Sequence, residues 1–275
     1  MKHKLKTALV LSGGGIKGMA HIGVLQFLNE IGVNVNLIAG TSAGALIGAL
    51  YAAGYTPMEI VSIADEIYSE FKARPYRYTQ FIHKDGLLKS ELLAEILSRY
   101  IPDDKIKFSN IELLMFSTEL KKGELAIFSN ENNIGIARSA IASAAFPFVF
   151  APIKDNGSTY SDGGMLAHFP TDIIRNEVDF VIGSYVSPVS VLDDKDLSTA
   201  TSVAIRAVSL TSIALEAKNF KHCDILINPS VLSKYHTFSI SKDTAREIYE
   251  IGYNEAKKQK DNFIRLLGLQ GDMIA

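Results

Sequence analysis

Five residues, Gly-Thr-Ser-Ala-Gly at positions 40–44, constrain the fold of this chain more than any other stretch. An apolar run at 35–39 precedes them, and a second apolar run at 45–51 has the composition of a buried helix. Gly-x-Ser-x-Gly at a strand-to-helix junction is typical of a nucleophile elbow, a turn so tight that glycines must flank the serine. The alternative for the pattern in isolation is a helix N-cap serine. The flanking runs favour the elbow, so Ser42 is the candidate nucleophile, with Gly40 and Gly44 supporting the turn.

Predicted strands and helices alternate along the whole chain. The composition, with 47% hydrophobic and 21% charged residues in 275, is that of a globular protein. Apolar runs predict strands at 7–12, 35–39, 112–119, 124–128, 180–186 and 224–228. Helical periodicity predicts helices at 16–31, 42–53, 56–73, 90–100, 133–145, 199–220 and 242–267. This alternation, without a repeat or a flexible linker, indicates one α/β domain over 1–275.

Two segments resemble export or membrane signals without fitting either. The basic N terminus precedes an apolar run, at 7–11, that is too short for a signal peptide. The uncharged stretch 31–58 is long enough for a transmembrane helix, but glycines and the elbow interrupt it. We therefore interpret it as a buried strand, turn and helix, and we expect a cytoplasmic protein.

Charge and cysteine content narrow the function classes. A formal net charge of -2 gives no general reason to expect nucleic-acid binding. The single cysteine, Cys223, excludes an intramolecular disulfide. The chain has no His-Glu-x-x-His helix, no Cys–His cluster and no EF-hand loop, so we predict no metal or other cofactor.

A glycine-rich loop joins the first predicted strand to the first predicted helix. Its glycines, Gly13, Gly15 and Gly18, have the Gly-x-Gly-x-x-Gly spacing of a dinucleotide site. That site also needs an acidic residue at the end of the second strand to bind a ribose, and none stands there. The alternative is an oxyanion hole, because Gly13, Gly14 and Gly15 leave backbone N–H groups bare at a helix N-terminus. Lys17 either supports the loop or meets an anionic headgroup.

A nucleophilic serine needs a base, and the sequence offers two kinds. The histidines, none of them in a telling motif, are His3, His21, His83, His168, His222 and His236. Asp162 precedes Gly163 and Gly164, so it stands on a tight turn, although an ordinary Asp-Gly turn is the alternative. Asp162 is the candidate base. Its rival is a Ser–Asp–His triad completed by His222 or His236.

Two aromatic segments allow more than one interpretation. The segment 71–84 mixes aromatic and basic residues, which fits an exposed connection and also fits a lid or a membrane-surface contact. Single-stranded nucleic acid would suit the same mixture, but nothing else in the chain supports it. Phe146, Phe148 and Phe150 alternate as in a strand with one apolar face. They form either plain core or the wall of an acyl-chain pocket.

Four motifs together resemble those of patatin-like phospholipases. In chain order they are Gly-Gly-Gly-x-Lys-Gly at 13–18, Gly-Thr-Ser-Ala-Gly at 40–44, Ser-Ala-Ala-Phe-Pro at 143–147 and Asp-Gly-Gly at 162–164. The resemblance covers residues 5–230 and is closest in kind to a compact bacterial member reduced to its catalytic domain. It implies a three-layer α/β/α fold with a central, mostly parallel sheet.

The resemblance also implies an activity. Members of this family hydrolyse acyl esters of lipids with a Ser–Asp dyad and without histidine. By this resemblance Ser42 is the nucleophile, Asp162 is the base, and Gly13, Gly14 and Gly15 form the oxyanion loop. The implied partner is a phospholipid or lysophospholipid substrate, with peripheral membrane contact. A catalytically idle member that binds lipid or a partner protein is the alternative, and the oligomeric state stays open.

The chain departs from the family pattern at two positions. Lys17 stands where the family usually has arginine, which weakens any two-pronged contact at that site. His168 stands six residues after Asp162, where asparagine is frequent, so turn geometry or pH response near the base is expected to differ.

Overall fold

The computed structural model describes residues 5–73, 89–102, 109–214, 216–237 and 241–268. The strands are β1 (Thr7–Leu11), β2 (Leu37–Thr41), β3 (Glu112–Glu119), β4 (Glu124–Ser129), β5 (Ile153–Asp155), β6 (Ser158–Asp162), β7 (Phe180–Ser184) and β8 (Ile225–Ile227). The α-helices are α1 (Met19–Glu30), α2 (Ala43–Ala52), α3 (Pro57–Ala73), α4 (Ser90–Ser98), α5 (Ile136–Ala144), α6 (Gly164–Ala167), α7 (Thr171–Ile174), α8 (Ala200–Ala214), α9 (Lys242–Lys258) and α10 (Lys260–Leu267).

The strands form one sheet in the order β5-β6-β3-β2-β1-β7-β8, and β4 also pairs with β3. The pairs β1–β2, β1–β7, β2–β3 and β7–β8 are parallel. The strands β4 and β6 run antiparallel to β3, and β5 runs antiparallel to β6. The sheet is therefore mostly parallel, as predicted. The carboxyl ends of its parallel strands meet at one edge, which is where open α/β sheets place their sites.

Side chains of β1 alternate between two cores, because successive residues of a strand point to opposite faces of the sheet. Leu9 and Leu11 belong to the larger core, together with residues of α1, α2 and α9. Ala8 and Val10 belong to a second core, together with residues of α6 and α7. Helices thus cover both faces of the sheet, which confirms the predicted three-layer α/β/α architecture.

The C-terminal helix α9 crosses α1 at a contact between two backbones. A Cβ atom placed on Gly23 would lie 2.6 Å from the Tyr253 nitrogen, and one placed on Gly252 would lie 2.6 Å from the Ala20 carbonyl carbon. Only glycine permits an approach this close. The end of the described chain is therefore packed on the first helix.

The six strands predicted from apolar runs are present, each within two residues of its predicted ends. The stretch 31–58 is a buried strand, turn and helix, as predicted. The helix start at residue 56 also follows the prediction. Thr56 N–H donates to Glu59 Oε2 at 2.8 Å, and Glu59 N–H donates to Thr56 Oγ1 at 3.3 Å, which is a capping box.

The strand predicted from Phe146, Phe148 and Phe150 is wrong. The backbone turns there instead: the Val149 and Phe150 N–H groups both donate to the Phe146 carbonyl, at 3.2 and 3.0 Å. Phe148 has a positive φ of 68° and is half exposed. Residue Pro147 lacks the N–H that a ladder would need, which explains why no strand continues through it.

Two predicted helices are divided. The helix predicted for 199–220 is α at Ala200–Ala214, but Ala217–His222 forms a 3-10 turn. The helix predicted for 242–267 is two helices that meet at Gln259. The segment 71–84 lies outside the described residues from position 74 on, so both of its interpretations stay predictions.

Sequence reasoning missed the hairpin of β5 and β6. Its turn is Asn156-Gly157, with φ of 42° and 84°. Asn-Gly between two short strands is the strongest short-range hairpin signal, since both turn residues need a positive φ. This hairpin carries Asp162 at its end.

Candidate active site

Ser42 occupies a strained turn between β2 and α2. Its φ and ψ are 55° and -120°, a combination that non-glycine residues rarely adopt. A Cβ atom on Gly40 would lie 2.5 Å from the Gly44 carbonyl oxygen, and one on Gly44 would lie 2.7 Å from Leu11 Cβ. Both glycines are therefore required for the turn to pack against β1. This is the geometry predicted for a nucleophile elbow.

Asp162 reaches the same edge of the sheet on the antiparallel strand β6. It pairs with Ser117 of β3, while the neighbouring Phe116 pairs with Thr41 of β2. The residue after Thr41 is the candidate nucleophile. Strand pairing alone thus brings the ends of β2 and β6 together, from positions 120 residues apart in the sequence.

The Asp162 carboxylate is buried, and only one of its two oxygens has a hydrogen-bond partner among the described residues. Its Oδ1 accepts a hydrogen bond of 2.7 Å from Gly164 N–H, and its Oδ2 has no hydrogen-bond partner among the described residues. Burial raises the pKa of Asp162 to about 6, and interactions with the Gly164 amide and the Ser42 hydroxyl oppose that rise. The Ser42 hydroxyl is therefore near enough to act on the carboxylate, although it makes no hydrogen bond of normal geometry to Oδ2.

The glycines after Asp162 allow its turn to press against β3. A Cβ atom on Gly163 would lie 2.5 Å from the Phe116 carbonyl carbon, and one on Gly164 would lie 2.9 Å from Asp162 Oδ1. A side chain has no room at either position, which explains why glycine stands at both.

Ser143, in the third motif, joins the turns that carry Ser42 and Asp162. Its Oγ accepts a hydrogen bond of 2.9 Å from Ser42 N–H and donates one of 2.5 Å to the Phe116 carbonyl. Its own carbonyl accepts from Gly163 N–H at 3.2 Å. One residue of α5 therefore holds the backbone at both the candidate nucleophile and the turn after the candidate base. Sequence reasoning used this motif for recognition only and missed the contact.

The glycine loop offers two free amides rather than three. Gly13 N–H donates to the His168 carbonyl at 3.2 Å, so it is already occupied. Gly14 and Gly15 line the cavity that contains Ser42, and their amides have no hydrogen-bond partner within the described ranges. If the loop holds an oxyanion, the amides available to donate to it are therefore those of Gly14 and Gly15.

Two hydroxyls fix the orientation of this loop. The Gly13 carbonyl accepts from Ser187 Oγ at 2.7 Å and from Ser12 Oγ at 2.9 Å. Because the peptide is planar and trans, the Gly14 N–H must point away from that carbonyl. A Cβ atom on Gly18 would lie 2.7 Å from Ala43 Cβ, so the loop also packs directly on the start of α2.

Lys17 is a buried cation in the cavity that contains the candidate nucleophile. Its side chain lines the same cavity, and its ammonium group has no hydrogen-bond or ion-pair partner among the residues that the structure describes. Burial, followed by repulsion from Arg206, lowers the pKa of Lys17 to about 8. An ammonium group that is buried without a partner is stabilised when an anion binds beside it.

His168 enters the site more closely than the sequence suggested. A Cβ atom on Gly13 would lie 2.7 Å from His168 Cε1 and 3.3 Å from Ser42 Cβ. The ring is buried, and its Nε2 has no hydrogen-bond partner among the described residues. Burial, with repulsion from Lys17 and His21, lowers the pKa of His168 to about 4, so the ring is neutral near pH 7.

The other described histidines lie away from the candidate dyad. His21 is in α1, as predicted, where its Nε2–H donates to the Ser12 carbonyl at 2.9 Å and its Nδ1 accepts from Ser184 Oγ at 2.7 Å. His222 and His236 do not line the cavity. His3 and His83 lie outside the described residues.

A cavity of about 560 Å³ opens at Ser42 and Asp162. This volume is within the range of ligand pockets. Phe146 and Phe150 line it, so these two phenylalanines are wall residues of a cavity, and the binding of an acyl chain there stays a prediction. The remaining wall is mostly aliphatic, from α2, α3, α4 and α5: Leu46, Ile47, Leu50, Ile60, Ile63, Leu93, Leu97 and Ile141. A cavity of this volume and aliphatic lining suits a long hydrocarbon chain.

No group of three His, Cys, Asp or Glu residues that could hold a metal ion occurs within the described part of the chain. What the site contains instead is a serine, a carboxylate, free amides and one ammonium group.

The family model described as patatin-like phospholipase matches residues 9–175. An uncharacterized protein of Acanthamoeba polyphaga mimivirus is 28% identical over 266 residues, which are 92% of this chain and 88% of that protein. The Bacillus subtilis protein YqhO, also uncharacterized, is 30% identical over 61% of this chain and 66% of its own length. A Candida glabrata protein named lysophospholipase NTE1 is 31% identical over 59% of this chain, but the match spans only 9% of that protein. The relatives come from a virus, a bacterium and a yeast, so they do not place this chain among bacterial members.

Solved structures show the same fold. VipD from Legionella pneumophila superimposes with a TM-score of 0.52 at 18% identity, over 94% of this chain and 67% of VipD. ExoU in the ExoU–SpcU complex of Pseudomonas aeruginosa gives a TM-score of 0.51 at 14% identity, over 95% of this chain and 52% of that one.

Proposed function

Because the chain belongs to the patatin-like phospholipase family, we propose that it is a serine hydrolase that cleaves the carboxylic esters of phospholipids or lysophospholipids. The observation that carries the proposal is the position of Ser42. It stands on a strained elbow, beside a buried carboxylate with one free oxygen, at the opening of an aliphatic cavity. These features match the needs of acyl transfer from a lipid.

The first half of the proposed reaction forms an acyl-enzyme. Asp162 Oδ2 takes the Ser42 hydroxyl proton as Oγ attacks the acyl carbonyl carbon. The carbonyl oxygen becomes an oxyanion, and the Gly14 and Gly15 amides donate hydrogen bonds to it. When the intermediate collapses, the ester C–O bond breaks and the leaving alcohol takes the proton from Asp162.

The second half releases the fatty acid. Asp162 removes a proton from a water molecule, and the hydroxide attacks the acyl-serine carbonyl carbon. The same amides hold the second oxyanion. As it collapses, Ser42 Oγ leaves and regains its proton from Asp162. A base whose pKa is raised to about 6 by burial is better matched to these transfers than an ordinary aspartate.

The cavity and Lys17 support a substrate that is apolar at one end and anionic near the scissile ester. The aliphatic wall suits the acyl chain, and the buried ammonium of Lys17 suits a phosphate oxygen of the headgroup. The name of the Candida relative adds support for a lysophospholipid. We therefore favour a phosphate-bearing lipid over a neutral acylglycerol.

A fluorophosphonate probe and a lysophospholipid hydrolysis assay test the proposal. Wild-type protein should label at Ser42 and release fatty acid, and Ser42→Ala and Asp162→Asn should each remove essentially all turnover. His168→Asn should stay within about tenfold of wild type, the size of a perturbation of about 1.4 kcal/mol. A drop of several thousandfold at His168 would replace the dyad by a mechanism that uses histidine.

Folded wild-type protein with neither labelling nor hydrolysis would favour the alternative, a catalytically idle lipid- or partner-binding member.

A further inference from the structure

The outward face of helix α8 has the wrong composition for a helix in water. Exposed helix faces are normally charged or strongly polar. Of the fifteen residues of Ala200–Ala214, only Ser212 is buried. The exposed residues of α8 carry no charge; they are Ala200, Thr201, Val203, Ala207, Leu210, Thr211 and Ala214. Contact with water alone does not explain this face.

The inner face of the same helix forms part of the catalytic cavity. Ser209, Ser212 and Ile213 line the space that contains Ser42. A single helix therefore separates the cavity from the exterior. A surface that contacts the outer face of α8 would therefore lie about 10 Å, one helix diameter, from the cavity.

Neighbouring residues extend the apolar surface. Leu166, in helix α6 just after the candidate base, is half exposed and belongs to a helix that packs on α8. Val189 and Val191 precede α8, and Val191 is 95% exposed. The Arg206 guanidinium donates to the Ser190 carbonyl at 2.7 Å, which ties this segment to the helix. The apolar patch, defined as the outer face of α8 with these three residues, thus borders the active site.

Within α8 the one charged residue is Arg206, which is half-buried and bonded to the Ser190 carbonyl, and exposed charged residues flank the helix at both ends. Asp193, Asp194 and Lys195 precede it, and Lys218 and Lys221 follow it; all five are exposed. A helix that lies flat on a lipid surface turns its apolar face toward the acyl chains, while its charged groups stay at the headgroup layer. The uncharged outer face of α8, with exposed charged residues beyond both ends of the helix, fits that arrangement.

The α-helical part of this region is too short to cross a membrane. The run Ala200–His222, 23 residues with a hydropathy of 1.2, passes the length and composition test for a membrane span. The α-helical part, however, has fifteen residues and is about 22 Å long, shorter than the hydrocarbon core of about 30 Å. The rest is held in the protein, since Glu216 accepts from His168 N–H at 3.1 Å and Asn219 donates to the Phe169 carbonyl at 3.2 Å.

We propose that the apolar patch is the surface by which the protein docks on a zwitterionic phospholipid membrane, with α8 lying in the interface and the cavity opening beside it. The inference rests on the proposed function in one respect: a lipid hydrolase must draw its substrate from such a surface. It assigns membrane contact to α8, a surface different from the segment 71–84.

Vesicle binding and catalysis are measured separately. All variants are made in Ser42→Ala protein for flotation with phosphatidylcholine vesicles, so that no lipid is consumed, and in wild-type background for hydrolysis of a soluble short-chain ester. The test variants are Leu210→Glu and Val203→Glu/Leu210→Glu. The matched control is Leu266→Glu in α10, since Leu266 is 42% exposed against 38% for Leu210 and does not line the cavity.

We expect Leu210→Glu to weaken vesicle binding by about tenfold and the double variant by more, equally at low and high salt, because the lost contribution is apolar. The control should bind as wild type does, and soluble-ester hydrolysis should stay within about twofold for all three variants. Binding that is unchanged in the double variant overturns the proposal. So does a dimer of the free protein that the double variant abolishes without any change in vesicle binding, since the patch would then contact a second copy.

Failure of the proposed function gives a different result, namely no ester hydrolysis and no probe labelling in the wild type, whatever the vesicles do.

Discussion

At the scale of single residues, Asp162 and Lys17 have opposite protonation requirements. In the proposed mechanism Asp162 acts as a base only as the carboxylate, and burial raises its pKa to about 6. Lys17 attracts a phosphate only as the ammonium ion, with a pKa lowered to about 8 by burial and by Arg206. We predict that kcat/KM for a lysophospholipid falls below pH 6 and above pH 8, because this ratio reports groups of the free enzyme.

A neutral short-chain ester should lose the alkaline limb and keep the acid one. Lys17→Arg should also remove the alkaline limb with the phospholipid, since a guanidinium stays charged. An alkaline limb that survives in Lys17→Arg would assign it to another group.

The buried carboxylate of Asp162 also affects stability. Its folded-state pKa lies above the ordinary value of 3.8, so the folded state binds the proton more tightly, and stability falls as pH rises from about 4 through about 6. Asp162→Asn removes the buried charge and keeps an acceptor for Gly164 N–H. We predict that it raises the free energy of unfolding at pH 7 by up to about 3 kcal/mol, the equivalent of roughly two pKa units.

Denaturant unfolding at pH 7 and pH 3 measures this effect. The gain should disappear at pH 3, where Asp162 is protonated in both states. An equal gain at both pH values would mean that charge is not its cause.

At the scale of elements, α5 holds the nucleophile turn through Ser143. Ser143→Ala leaves the Ser42 N–H without its acceptor, a loss of about 1–3 kcal/mol for a buried group. We predict a fall in kcat of about tenfold to a hundredfold with KM nearly unchanged, because the strained backbone of Ser42 is no longer fixed.

Ser139→Ala is the matched control for Ser143→Ala. Ser139 is also buried in α5, but its Oγ accepts from Ile134 N–H, at 3.2 Å, and does not contact Ser42. It should lose stability and keep kcat. Equal losses of kcat in both variants would reduce Ser143 to a packing role.

The glycine loop is the second element that can be tested. A Cβ atom on Gly14 would lie 2.7 Å from Val186 Cγ2 and 3.2 Å from Ser187 Oγ, so a larger residue must move the loop. We predict that Gly14→Val lowers kcat by at least ~10²–10³, the effect of losing one oxyanion donor. Circular dichroism and the melting temperature check that the fold is kept. Tight NAD or ATP binding that this variant destroys would instead favour a nucleotide site.

A feature of the site could be predicted from the sequence when the residues that determine it are close together in the chain. Ser42, Gly40 and Gly44 were predictable because an elbow is a local pattern between two apolar runs. Asp162 was found by its motif, but its distance from Ser42 depends on the pairing of β6 with β3, which no local pattern specifies. The occupied Gly13 amide has the same origin, since its acceptor is the carbonyl of His168. The hairpin turn at Asn156-Gly157, by contrast, carried a local signal that was overlooked.

At the scale of the whole molecule, the crossing of α1 and α9 joins the two ends of the described chain. Gly252→Leu must push the helices apart, because its Cβ would meet the Ala20 backbone. We predict a loss of several kcal/mol in the free energy of unfolding, in the range of about 3 kcal/mol or more for severe overpacking. Gly123→Ala is the control: it has a φ of 71° and open space around its Cβ, so only backbone strain of about 1 kcal/mol is expected. Thermal unfolding of both variants measures the difference, and equal melting temperatures would contradict the prediction.

The parallel pairing of β1 with β7 has a practical consequence for anyone expressing pieces of this protein. The family match ends at residue 175, and β7 begins at Phe180. A fragment designed on that match would contain all four signature motifs, yet every backbone group that β1 offers to β7 would face solvent, on the strand that carries the glycine loop. The segment that matches the family model is therefore shorter than the segment that must fold together. An inactive fragment of this kind would give no information about the chemistry of Ser42.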